Sequence, residues 1–185
     1  MPNIKKNLTS EQFDTFAEDL LAERSERPLI IVGASKVDEL LFEILRLFFL
    51  PKIAKDKRQD ELLEGETPLA TFSARIKVCR RLGLIDETLY LCLEKLRALR
   101  NLSAHSIWFV ATDSPARDHI LELKKRIQVR HSFRLTKDRY FDGIQFTSIE
   151  ELQCLLLTLC VLLEAVRKKV VQTTGNKSAL SISAR

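Results

Sequence analysis

Residues 28–49 read PLIIVGASKVDELLFEILRLFF and decide the fold class, because their apolar residues recur at the spacing of one helix face. Pro28 suits the first position of a helix, and Pro51 prevents the helix from continuing. Charged residues within the segment exclude a membrane span, and Gly33 indicates close packing against another helix. The segment therefore predicts a long core helix, whose apolar face carries Ile31, Ala34, Val37, Leu41, Leu45 and Phe48.

The rest of the chain also favours helices, since only five glycines and five prolines are spread over 185 residues. Helix caps and apolar periodicity predict further helices over residues 10–24, 69–82, 86–101, 115–128 and 148–172. Asp86 and Ser114 are the expected N-caps of the helices at 86–101 and 115–128, and Pro115 is the expected first residue of the latter. We expect a charged connector with one short helix at 52–68, and a loop or small hairpin at 129–147. The predicted fold is an all-α, irregular bundle of about six helices, with a single domain over residues 1–174 and a flexible tail at 175–185.

Composition excludes several classes of protein. The net charge of +5 is too small to identify a nucleic-acid binder, although the basic excess lies after residue 66. No apolar run reaches the roughly 20 residues of a transmembrane helix, so we expect a cytoplasmic protein. The cysteines lack CxxC spacing and predict buried free thiols; they are Cys79, Cys92, Cys154 and Cys160. The three histidines, His105, His119 and His131, show no zinc-ligand spacing, and we expect no metal and no cofactor.

The most informative polar residues end the helix predicted over 86–101. Residues 91–106 read LCLEKLRALRNLSAHS, and the apolar stripe of this helix continues onto Arg100. A guanidinium directed at the core or at a partner needs hydrogen-bonding groups around it. Arg97, Asn101 and His105 follow one another at four-residue intervals and share one face if the helix continues. We therefore expect Arg97, Arg100, Asn101 and His105 to converge on one polar pocket.

Two further residues are predicted to support this pocket. Asp38 and Glu39 are expected to pair with Arg100 across the bundle, which would either tune a catalytic site or neutralise a buried charge. The residues by themselves leave open whether the cluster is structural, an interface, a ligand site or a catalytic site.

Arg100 and His105 form an R-x4-H pattern that resembles the motif of the HEPN superfamily, helical domains that often dimerise and in many members cleave RNA without a metal. This resemblance implies catalytic roles for Arg100, Asn101 and His105. The histidine would move a proton at a 2′-hydroxyl or a leaving oxygen, and the arginine would hold the phosphate. Arg126 and His131 have the same spacing, but no polar amide follows Arg126.

Three longer segments resemble the mannitol operon repressor family. They are VGASKVDELL at 32–41, PLATFSARIKVCRRLGLI at 68–85 and LRALRNLSAHS at 96–106. The resemblance implies an all-helical transcriptional regulator. It also brings forward Ser73 and Arg75 in FSARI as residues that could line the polar pocket, with a helix cap or a salt bridge as the alternative roles. Because no helix-turn-helix with a polar recognition helix is evident, we expect repression to work through a protein partner.

A second set of basic residues lies in and after the helix predicted over 115–128. Aromatic residues at 133, 140 and 141 follow it, so this surface could contact phosphates and stack bases, with a solvated helix face as the alternative. Its candidate nucleic-acid-binding residues are Lys124, Lys125, Arg126 and Arg130.

Together with the family resemblance, the sequence thus predicts a regulator of transcription. The last helix is Leu-rich on most sides, so we expect it to be the central buried element or a dimer seam. Its apolar character and an arginine-rich seam lead us to expect a homodimer. Two alternatives remain open. One is a HEPN-type, metal-independent ribonuclease in which two such pockets meet across the dimer. The other is a non-catalytic protein-interaction module.

Overall fold

Seven α-helices and no strands form from residues 10–49 and 60–174, which are the residues that the computed structural model describes. In chain order they are α1 (Ser10–Ala22), α2 (Glu26–Phe48), α3 (Phe72–Arg81), α4 (Glu87–His105), α5 (Ala116–Ile127), α6 (His131–Tyr140) and α7 (Ser148–Thr174). The all-α prediction is confirmed. The predicted tail at 175–185 lies outside the described residues, as does most of the connector, and residues 60–71 form turns rather than a helix.

The core is built on the packing of α2 against α7. The predicted stripe of α2 is inaccessible to solvent at Val37, Leu41 and Leu45, as expected for the inward face of an amphipathic helix. Gly33 lies against Leu156 of α7, where a Cβ atom would approach a Leu156 methyl carbon to 2.8 Å. Glycine therefore permits the close approach of these two helices, as the sequence indicated.

Helix α7 is buried within the chain itself. Its residues 152–160 are all buried, because α2 covers one side and α5 and α6 cover others. Packing within one chain thus accounts for the apolar composition of α7. This helix therefore gives no support to the predicted homodimer, which stays a prediction. No helix formed by residues 10–49 and 60–174 is long and apolar enough to cross a membrane.

Helix α6 replaces the loop or small hairpin predicted over 129–147, and that prediction is wrong. Most side chains of α6 are polar and exposed, so its helical periodicity is weak in the sequence. Its inward face consists of Phe133, Thr136 and Tyr140, which pack towards α7 and the core at intervals of three and four residues. Tertiary packing therefore stabilises a helix that the local sequence hardly indicates.

Hydrogen bonds to capping residues explain where α3 and α4 begin. Thr71 Oγ1 accepts a hydrogen bond from the Ala74 N–H at 3.2 Å, so α3 begins at Phe72 rather than at Leu69. Asp86 caps α4 as predicted and accepts from the Leu89 N–H at 2.7 Å. Gly83, with φ of 70°, makes the turn between these helices.

The start of α5 differs from the prediction that Ser114 caps it and Pro115 is its first residue. Pro115 occupies the cap position, and the Ser114 hydroxyl donates to the Asp118 carboxylate at 2.7 Å instead of accepting from a backbone N–H.

The four cysteines are free and buried, as predicted. Burial raises the pKa of the Cys92 thiol to about 11 and that of the other three to about 12. These thiols therefore act as small apolar groups of the core.

Candidate functional site

A cavity of about 400 Å³ lies between α2, the start of α3 and the last turns of α4. It is lined by Ala34, Ser35 and Asp38 from α2, by residues 70–73, and by Arg97, Arg100 and Asn101 from α4. We call it the α4 cavity. The structure thus brings together five residues that the sequence assigned to a polar pocket: Asp38, Ser73, Arg97, Arg100 and Asn101.

Arg75 does not line the α4 cavity, but it holds Asp38, which does. Its Nη1 donates to Asp38 Oδ1 at 2.8 Å, its Nη2 to the Leu63 carbonyl at 2.9 Å and its Nε to the Leu69 carbonyl at 3.1 Å. The side chain therefore ties α3 to α2 and holds the preceding loop in place. The predicted pairing of Asp38 with Arg100 is wrong, because Arg75 on α3 occupies that carboxylate.

Glu39 does not take part in the cavity. It is exposed and pairs with Lys36 on the same helix at 2.7 Å, so the predicted pairing of Glu39 with Arg100 is also wrong. The reason is geometric, since consecutive helical residues point about 100° apart and Asp38 already faces α3.

Arg97 contributes a buried donor to the cavity wall. Its Nη2 donates to Glu94 Oε2 at 2.8 Å, whereas its Nε is buried and has no hydrogen-bond partner within the described residues. An unsatisfied buried donor costs about 1–3 kcal/mol. The charge of Arg97 is compensated by Glu94 on the same helix.

Arg100 is exposed, contrary to the prediction that the apolar stripe of α4 carries it inward. Leu99 and Ser103 occupy the buried positions instead, and the Ser103 hydroxyl bonds back to the Arg100 carbonyl at 2.8 Å. The guanidinium donates to Asn101 Oδ1 at 3.3 Å and forms no ion pair with any described residue. Arg100 thus presents an uncompensated cation at the opening of the cavity.

His105 does not join the residues with which it was predicted to converge. Its side chain is exposed on the last turn of α4, and the cavity wall ends at Asn101, one turn earlier. Within one protomer, His105 and Arg100 therefore do not share a cavity. Among the described residues, no group of three or more His, Cys, Asp or Glu side chains is placed to hold a metal ion.

The largest exposed apolar side chains follow α4 directly. Trp108 is 88% exposed, Ile107 is 80% exposed and Val110 is 45% exposed. We call residues 107–110 the Trp108 segment. None of the sites predicted from the sequence includes this segment. The only tryptophan of the chain stands here, in the run IWFV after a polar helix end, and this is a signal that could have identified it.

The Trp108 segment is anchored on both sides to the start of α2. Before it, Arg27 Nε donates to the Ser103 carbonyl at 2.6 Å, and Arg27 Nη2 donates to the Ser106 carbonyl. After it, the Ala111 N–H donates to Glu26 Oε2 at 3.0 Å. Because neighbouring side chains of one helix hold both ends, the exposed ring of Trp108 is presented from a fixed loop.

The basic residues proposed to bind nucleic acid do not form a free cationic surface. Three of the four pair with carboxylates of the chain itself: Lys124 with Glu151, Arg126 with Glu122 and Arg130 with Asp86. The fourth, Lys125, is exposed. Internal pairing leaves these side chains fewer donors for phosphate groups.

The fold is similar to those of two solved bacterial proteins. A possible transcriptional regulator, YggD from Shigella flexneri 2a str. 2457T, aligns with a TM-score of 0.58 and 14% sequence identity over 88% of this chain and 99% of the other. A chain of the MtlR–HPr complex from Escherichia coli aligns with a TM-score of 0.50 and 20% identity over 86% and 98%. No protein-family model matches the chain, and no curated protein matches it by sequence. The similarity therefore shows a shared fold.

Proposed function

We propose that this chain is a regulator of transcription that acts by binding a partner protein through the Trp108 segment. The observation that carries the proposal is the exposure of Trp108 and Ile107 on an anchored loop. Isolated exposed apolar residues are common, but adjacent large ones on a fixed loop are typical of interaction sites. Tryptophan is enriched among the residues that contribute most to protein–protein binding.

The fold neighbours support a protein partner in particular. One is described as a possible transcriptional regulator, and the other was solved as a complex of MtlR with HPr. We therefore propose a partner of the HPr type, which would offer an apolar pocket to the ring of Trp108. Because the loop is anchored before binding, little conformational entropy is lost when the partner docks.

Direct reading of DNA is not part of this proposal. The basic residues of α5 and of the turn after it are largely paired with Glu122, Glu151 and Asp86. A DNA-binding protein releases counterions from many phosphates, so its affinity falls steeply with salt. We expect no such salt-dependent binding when labelled duplex DNA is titrated with the chain at about 50 and 200 mM salt.

Binding of the proposed partner is tested by titrating the chain with purified HPr and recording the fluorescence of Trp108. This residue is the only tryptophan in the chain. Burial of this exposed ring by HPr should shift its emission to shorter wavelength in a saturable manner. Replacing the ring by Trp108→Ala should weaken binding by about thirtyfold, which corresponds to about 2 kcal/mol. Affinities of the variants are measured by calorimetry, because Trp108→Ala removes the fluorescent probe.

Ile107→Ala and Val129→Ala form a matched pair of aliphatic truncations. Both side chains are about equally exposed, at 80% and 79%, but Val129 lies outside the Trp108 segment. We expect weaker HPr binding from Ile107→Ala and unchanged binding from Val129→Ala. Absence of binding to HPr at about 100 μM would contradict the choice of partner, and equal loss in both variants would contradict the choice of surface.

A further inference from the structure

We infer that the α4 cavity binds the phosphate group of a small molecule. The inference rests on the hydrogen-bond donors that line this cavity. Neither the fold neighbours nor the proposed partner surface gives these donors a role. The cavity volume of about 400 Å³ lies within the range of ligand pockets and suits a molecule of the size of a small phosphate monoester.

Arg100 supplies the main attraction. Its guanidinium forms no ion pair with any described residue, and its exposure allows it to close over an entering anion. Arg97 also lines the cavity, but its charge is paired with Glu94 on the same helix at 2.8 Å. An arginine fork matches the geometry of phosphate oxygens, and its hydrogen bonds to an anion are stronger than those to a neutral group.

The polar groups around these arginines are also of the right kind. Asn101 uses its Oδ1 to accept from Arg100, so its amide NH₂ is left as a donor. Ser73 and the first turn of α3 form the opposite wall, and the start of a helix carries partial positive charge. The hydroxyl of Ser35, in contrast, already donates to the Ile31 carbonyl at 2.8 Å.

The one carboxylate in the lining does not oppose an anion strongly. Asp38 Oδ1 accepts from Arg75 at 2.8 Å, so its charge is compensated within the wall. Arg97 is likewise compensated by Glu94, so the uncompensated charge at the cavity is that of Arg100. A phosphate anion fits this positive balance better than an amine or a metal cation.

Isothermal titration calorimetry on the full chain, in phosphate-free buffer, tests the site with glycerol phosphate, glycerol and inorganic phosphate as probes. We expect saturable binding of glycerol phosphate and none of glycerol. Arg100→Gln should weaken binding at least about tenfold without loss of folding, because this side chain is exposed. Arg100→Lys, which keeps the charge but loses the fork, should give an intermediate affinity.

Lys125→Gln is the matched control, since it removes one positive charge from an exposed helical residue outside the cavity. Its affinity should remain within about twofold of the original. Tighter binding of glycerol phosphate than of inorganic phosphate identifies a phosphate monoester as the ligand, and the reverse order identifies free phosphate; both support the site. No saturable binding up to about 10 mM, or equal losses in Arg100→Gln and Lys125→Gln, would overturn the inference.

The proposal of a phosphate site and the proposal of a partner surface can be tested independently of each other. Trp108 does not line the α4 cavity, so Trp108→Ala should leave phosphate binding unchanged while weakening HPr binding.

Discussion

Arg27 and Ser103 are joined by a hydrogen bond of 2.6 Å from Nε to the carbonyl oxygen, although 76 positions separate them in the chain. The same guanidinium reaches the carbonyl of Ser106. These two bonds attach the end of α4 to the start of α2, so one partly buried side chain holds the Trp108 segment at the end that follows α4.

Arg27→Met should therefore loosen this region. Removal of the guanidinium leaves two partly buried carbonyls without their donor, and we expect a loss of about 1–3 kcal/mol in the free energy of unfolding. Urea denaturation measures this loss, and hydrogen exchange should become faster in residues 104–111 than elsewhere.

Arg24→Met provides the comparison. Arg24 is 68% exposed and pairs with Glu150 at the surface, so its replacement should cost no more than about 0.5 kcal/mol. Unchanged exchange in residues 104–111 of Arg27→Met would show that other contacts hold the segment.

A second prediction concerns the wall of the α4 cavity. Arg75→Met removes three hydrogen bonds and leaves Asp38 without its partner, so we expect a loss of about 2–4 kcal/mol in the free energy of unfolding. Arg80→Met on the same helix should cost less than about 0.5 kcal/mol, because its ion pair with Glu87 spans 4.0 Å at the surface. Similar losses in the two variants would mean that Arg75 has no special structural role.

A third prediction follows from the titration of Asp86. Partial burial disfavours the ionised carboxylate, but hydrogen bonds from the Leu89 N–H and from Arg130 outweigh it and hold the pKa below its usual value of about 3.9. The stabilisation is thus fully present above the unfolded-state pKa and is lost as the pH falls through the lower folded-state pKa.

Asp86→Asn isolates this contribution, since asparagine keeps the helix cap but removes the charge. The variant should be less stable than the original by no more than about 1 kcal/mol near neutral pH, because the side chain is largely exposed. This difference should stay constant down to about pH 5 and shrink below about pH 4. Denaturation at a series of pH values measures it, and a difference that grows on acidification would contradict the sign.

A fourth prediction concerns His105 and the ribonuclease alternative. Because His105 is exposed and lies outside the α4 cavity, His105→Ala should change the free energy of unfolding by less than about 0.5 kcal/mol. We expect neither the original protein nor the variant to cleave RNA in the presence of EDTA. Cleavage that persists in EDTA and disappears in a folded His105→Ala variant would establish the ribonuclease.

Much of the fold follows from sequence periodicity. The apolar spacing of α2 predicted its inward face residue by residue, and the long Leu-rich run of α7 predicted a helix that is apolar on most sides. The buried cysteines and the close approach at Gly33 follow from the same patterns. Helix α6 does not follow from these patterns, because its stability comes from packing against α7 rather than from the helix preference of its local sequence.

The sequence by itself also determined which residues of the candidate site are chemically capable, since Arg97, Arg100 and Asn101 lie within two turns of one helix. Only the tertiary structure decided their partners. It paired Asp38 with Arg75 and left Arg100 without an ion pair to any described residue. Helical spacing specifies which side chains share a face, but the pairing of faces depends on how distant segments pack, and that information is not local to any stretch of the chain.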